Sequence, residues 1–94
     1  MPKAIWNDTV IAESDNYEMI EGNTYFPADS LKMEYFKESP TTSVCVWKGT
    51  ANYYTIVVDG KENTDAAWVY KKASNRAKNI EGYVAFWKGV EIKA

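Results

Sequence analysis

The run Tyr53-Tyr54-Thr55-Ile56-Val57-Val58, halted at once by Asp59-Gly60, constrains this chain more than any other feature. Six consecutive β-branched and aromatic residues favour extended backbone. Their bulk falls at both parities, so both faces of the strand carry apolar side chains. A strand of that kind has to be covered on both sides. Asp59-Gly60 suits a type I′ turn, in which both central residues need positive φ. The segment therefore predicts a hairpin whose first strand is central in its sheet. Tyr83-Val84-Ala85-Phe86-Trp87 repeats the two-faced pattern and predicts a second central strand.

Shorter runs fill in the rest. Val10-Ile11 and Val44-Cys45-Val46-Trp47 read as strands. Asn7-Asp8 and Gly22-Asn23 sit between apolar pairs as tight turns do. Lys61-Glu62-Asn63 and Val90-Glu91-Ile92-Lys93 alternate or fade, which is an edge-strand pattern. Helix is scarce. Asp29 to Lys37 offers two turns with Leu31 and Tyr35 four apart, and Ser74 to Glu81 offers two more between a Ser cap and Gly82. Neither stands without packing. A tryptophan precedes a polar turn at Trp6-Asn7, Trp47-Lys48 and Trp87-Lys88, which reads as a shared strand-end device. The expected architecture is mainly β: one domain over residues 1–94. It is a small twisted antiparallel sheet of about seven to nine short strands, a sandwich or open barrel, with one or two short helices.

Composition removes much chemistry. The chain has no histidine and one cysteine, so Ser-His and Cys-His dyads, an internal disulfide and a structural zinc site are all excluded. Its five glycines stand singly, and none builds a phosphate-cradling loop. No metal and no cofactor are expected. A net charge of −2 and a pI near 5.1 argue against nucleic acid as a partner. No apolar run is long enough for a membrane helix or a signal peptide, so the expected setting is cytoplasmic, away from membranes. A monomer or weak homo-oligomer is expected.

What the chain has in excess is aromatic. Eleven Tyr and Trp stand against three Phe. Such rings fill a small core, and those with a polar handle also suit a cleft. Tyr25-Phe26, Glu34-Tyr35, Tyr53-Tyr54, Trp68 and Tyr70 combine rings, donors and a carboxylate as recognition of a small, partly apolar molecule requires. Cys45-Val46-Trp47-Lys48 places a nucleophile near a cation, which raises thiol reactivity. Strand alternation, however, sends Cys45 and Trp47 to one face and Lys48 to the other, and a small core cysteine is the plainer reading. Glu13-Ser14-Asp15 reads as a solvated acidic turn, the Asp59–Asp65 segment as a hairpin and not a calcium loop, and Lys71, Lys72, Arg76 and Lys78 as a solvated basic face.

Ala4-Ile5-Trp6-Asn7, Glu21-Gly22-Asn23, Tyr25-Phe26-Pro27, Glu34-Tyr35, Thr42 to Tyr54, Asp65-Ala66-Ala67-Trp68 and Gly82 to Trp87 together resemble domain-of-unknown-function family 427. The resemblance covers nearly the whole chain. It implies a small all-β fold of the β-tent type, in a family sometimes classed as nucleotidyltransferase-like. Carried onto this sequence, the motif residues are Tyr25, Glu34, Tyr35, Cys45, Trp47, Lys48, Gly49, Tyr53, Tyr54, Asp65, Trp68, Tyr70 and Trp87. Val46 stands where the family usually has proline, and Val69 and Lys71 flank Tyr70 where Tyr-Tyr-Pro is commoner. Each lost proline frees a backbone N–H and relaxes φ beside the motif.

Three readings stay open, in this order. The first is binding of a small molecule in an aromatic cleft built from Tyr25, Tyr35, Cys45, Trp47, Tyr53, Trp68 and Tyr70. The second is a transferase or hydrolase with Glu34 or Asp65 as general base and Lys48 stabilising negative charge. The third is an interaction module that pairs through the Val90–Lys93 edge.

Overall fold

Asn7-Asp8, Glu21-Gly22 and Asp59-Gly60 all take positive φ, and each closes a tight antiparallel hairpin. Around these turns the computed structural model, which covers residues 1–94, forms three antiparallel sheets that do not close into a barrel. Strands β1 (Lys3–Trp6), β2 (Thr9–Glu13) and β9 (Glu91–Lys93) make one sheet in the order β2-β1-β9. Strands β3 (Glu18–Ile20) and β4 (Asn23–Tyr25) make the second. Strands β5 (Phe36–Cys45), β6 (Gly49–Val58), β7 (Lys61–Val69) and β8 (Val84–Phe86) make the third, in sequence order. The mainly β expectation is met. No helix is long and apolar enough to cross a membrane.

The two-faced runs do what their parity requires. On one face of the four-stranded sheet Ile56, Val58, Ala67, Val69, Val84 and Phe86 join Ala4, Ile11 and Ala12 of the three-stranded sheet in one core. On the other face Ala51, Tyr70 and Ala85 pack with Ala77 and Ile80, and Tyr53 and Trp68 lie against them. Strand β4 serves both, sending Tyr25 to the second core and Phe26, just past its end, to the first.

Two bulges bend this sheet at its middle strand. Ser39 to Thr41 bulge from β5 and Thr64 to Ala66 from β7, on either side of the Tyr53–Thr55 stretch of β6. Asp65 takes a φ of 56° there, and the Thr41 hydroxyl donates to its Oδ2 at 2.8 Å, tying one bulge to the other. Extra residues of this kind re-aim the side chains beside them.

Four local expectations need correction. The first hairpin turn after Ile20 is Glu21-Gly22, one residue earlier than Gly22-Asn23, because Asn23 pairs with Ile20 in the ladder. Strand β8 is buried on both faces as predicted but ends its ladder instead of lying centrally. Phe26 covers its free edge, exchanging two backbone hydrogen bonds with Val84 at 2.8 and 2.7 Å. Lys61–Asn63 belong to an interior strand, though they lie beyond the reach of β8, which pairs only with Ala67–Val69. The predicted helices are 3-10 turns at Ala28–Ser30, Met33–Tyr35 and Asn75–Ile80. A bridge from Leu31 to Ala12 holds the chain extended between the first two turns. At the third, the Ser74 hydroxyl donates to the Trp47 carbonyl and not to its own turn.

Candidate binding cleft

Tyr53 and Trp68 face each other directly across β6 and β7, and Ala85 is the partner of Trp68 on β8. With only a methyl beside the indole on β8, the two large rings have no ring partner on that strand. They wall a cavity of about 210 Å³ together with Tyr25, Tyr70 and Trp87, while Asn23 and Lys48 add polar groups. Trp68 Nε1–H donates to the Tyr25 hydroxyl at 3.2 Å, and these rings meet edge to face at 6.2 Å. Trp87 meets Trp68 in the same way at 6.0 Å, and its Nε1–H donates to the Asp65 carbonyl at 2.6 Å. The β7 bulge thus places Trp87 through its main chain.

Lys48 reaches the cavity because the strand stops early. β5 ends at Cys45, and Val46 to Lys48 form the turn into β6. Strand alternation no longer applies there, so Val46 points fully into solvent and Lys48 turns inward beside Trp47 and Tyr70. The expectation that Lys48 lies opposite Cys45 and Trp47 is therefore overturned. Gly49 lets the turn settle against residues 72–74: Ser74 N–H donates to the Lys48 carbonyl at 3.0 Å, and Gly49 bridges to Ala73.

With 6 % exposure, Lys48 is the one charged residue among the buried side chains. Its ammonium pairs with Glu21, carried by the β3–β4 turn, and lies 5.0 Å from the Trp47 ring centre and 5.8 Å from that of Tyr70. Burial works against this charge but is outweighed by the Glu21 hydrogen bond and the neighbouring phenols, so Lys48 titrates above 10.5. The same hydrogen bond holds Glu21 below 4.5. Burial pushes Tyr25 up and Tyr70 up to about 12, so both phenols stay neutral donors at physiological pH.

These directions fix a pH profile. The lowered Glu21 contributes stability that is present above 4.5 and is lost as pH falls through its folded value. The raised Tyr70 contributes stability that is present below 10.0 and is lost between there and about 12. Denaturant midpoints are expected to be flat between these limits and to fall outside them. Glu21→Gln should reduce the acid-side fall and Tyr70→Phe the alkaline one; profiles identical to that of the parent chain would contradict the assignment.

Of the residues singled out from sequence, Tyr25, Lys48, Tyr53, Trp68 and Tyr70 line one cavity. Trp47 does not line the cavity but lies beside the Lys48 ammonium and 5.8 Å from the Arg76 guanidinium, and the half-buried free thiol of Cys45 packs against the same core. Three do not join them. Tyr35 packs on the opposite core, Glu34 is exposed on a 3-10 turn, and the Asp65 carboxylate sits at the bulge bonded to Thr41. Glu21 and Asn23 were not among the candidates, since no spacing relates a hairpin turn to a lysine 27 positions on. Trp87 stands among the family motif residues and before a Lys-Gly turn, but the cleft set read from sequence does not include it. No three acidic or thiol side chains converge to hold a metal ion.

Fold and cleft define an open-sheet β protein with an aromatic cavity on one face of its main sheet. The sequence matches the family described as Domain of unknown function (DUF427) over residues 2–93, and the chain belongs to that family. No curated protein matches it.

Proposed function

We propose that this chain binds a small molecule with a planar apolar body in the cleft between β4, β6 and β7. One observation carries the reading: five aromatic side chains and the one buried charge of the chain line a single cavity. Rings that only filled a core would close on one another at interior density. Aromatic walls with a few convergent polar groups are the usual make-up of a ligand site. A group-transfer reading has less support, because Glu34 and Asp65 do not line the cavity with Lys48. Pairing through β9 also has less, since that edge is three residues long and flanks Ile92 with Glu91 and Lys93, a form that blunts association. The reading extends to a cytoplasmic chain that is a monomer or a weak homo-oligomer.

Neutral indole is the simplest probe. Titrated into the labelled protein, it is expected to give saturable nuclear magnetic resonance shifts at the Trp68 and Trp87 indole N–H groups. Trp6, packed on the opposite core, is the internal control and should not move. Trp87 is half exposed, so Trp87→Ala should leave the fold intact and weaken binding by about tenfold, the loss of one aromatic contact. Shifts that fail to saturate, or that are equal at Trp6, would remove the proposal.

A further inference from the structure

We infer that the molecule taken by this cleft is a planar monocarboxylate whose carboxylate displaces Glu21 from Lys48; the inference rests on the binding reading above. An ammonium offers three donors. At Lys48 the chain supplies one acceptor, Glu21, and the other near neighbours of the nitrogen are the faces of Trp47 and Tyr70. A buried cation that lines a cavity favours an incoming anionic oxygen over a neutral group.

The two partners of the ion pair are unequal. Lys48 is buried, whereas the Glu21 side chain is 55 % exposed and sits on a two-residue turn at a φ of 55°. Glu21 therefore swings into water at little desolvation cost, while Lys48 has no such exit. That asymmetry makes Glu21 the exchangeable counter-ion. The remaining groups set the ligand's form. One cation calls for one negative charge, the aromatic walls for a flat ring, and the neutral Tyr70 hydroxyl and Asn23 for further acceptors. A volume of about 210 Å³ accommodates a body of one or two fused rings. The site in its free state is held by an internal mimic of the ligand's own anionic group.

Indole-3-carboxylate and neutral indole separate the inference from the reading beneath it. At neutral pH and low salt, the full chain and its Glu21→Gln variant are titrated with each probe, read by the Trp68 and Trp87 indole N–H shifts. The carboxylate is expected to bind the parent chain about tenfold more tightly than indole. Glu21→Gln, which removes the competing charge, is expected to tighten the carboxylate about tenfold more and leave indole unchanged. Equal affinity for the two probes, or carboxylate binding indifferent to Glu21→Gln, overturns the inference and leaves the cleft reading standing. Binding of neither probe overturns both. Lys48→Met, if folded by its thermal transition, should lose the preference for carboxylate over indole, and a preference that survives the substitution overturns the inference.

Discussion

Phe26→Ala is expected to cost about 3–5 kcal/mol of folding stability, the range for truncating a fully buried phenylalanine. Phe26 has no exposed surface, and its ring meets Phe86 edge to face at 5.8 Å. Its main chain is the seam between the β3–β4 hairpin and the free edge of β8, through the pair of bonds with Val84. Removing the ring opens a void in the first core and loosens that seam together. A domain of this size holds roughly 5–15 kcal/mol in all, so the variant should sit near the edge of stability. Urea unfolding measures it directly. Met19→Ala, an exposed change on the adjoining strand β3, should stay within about 0.5 kcal/mol of the parent. A Phe26→Ala cost below about 1.5 kcal/mol would mean that the seam is not anchored by the ring.

Gly49→Ala carries the next largest effect, and its two causes are separable. The residue has a φ of +120°, a region that side chains rarely adopt, and a Cβ there would lie 3.1 Å from the Lys72 carbonyl. Backbone of this kind costs a non-glycine residue of order 1–3 kcal/mol. The close approach adds displacement of the 72–74 segment, so a loss of about 3 kcal/mol and a fall in melting temperature of about 12 °C or more are expected. Gly60→Ala is the control: its φ is also positive, but nothing lies within 4 Å of the added methyl. It should lose about 1 kcal/mol. If the two substitutions proved equal, the contact with Lys72 would carry no weight. Because Gly49 follows Lys48 and seats its turn, Gly49→Ala should also disturb the Trp68 and Trp87 indole signals, which Gly60→Ala leaves alone.

Parity was the legible part of the fold. Tyr53 to Val58 and Tyr83 to Trp87 announced a two-sided sheet, and the structure puts a core on each side. Paired turn residues marked the hairpins because positive φ is a local property. What was illegible was set at long range. Asp29 to Lys37 looks helical by the four-residue spacing of Leu31 and Tyr35, but a bridge from Leu31 to β2 holds its centre extended. Ser74 looks like a cap, yet its hydroxyl is engaged by the Trp47 carbonyl, 27 positions away. In the cleft, the polar aromatics were found by composition. Strand alternation puts Lys48 on the face away from Cys45, and alternation cannot foresee that β5 stops at Cys45. Glu21 was invisible, because an acidic residue in a turn reads as solvated unless its distant partner is known.

The main sheet is also a partition. One of its faces holds Phe26, Ile56 and Phe86, and the other holds the cleft, with the backbone of β6 and β7 between them. Substitutions that share no contacts combine additively, so changes on the two faces are nearly independent of each other. A lineage carrying this fold is free to remodel its cleft residue by residue while the opposite face sustains stability unaltered. Residues lining the cleft can therefore be altered while the architecture is kept, and that tolerance is built into the sheet's two-sidedness.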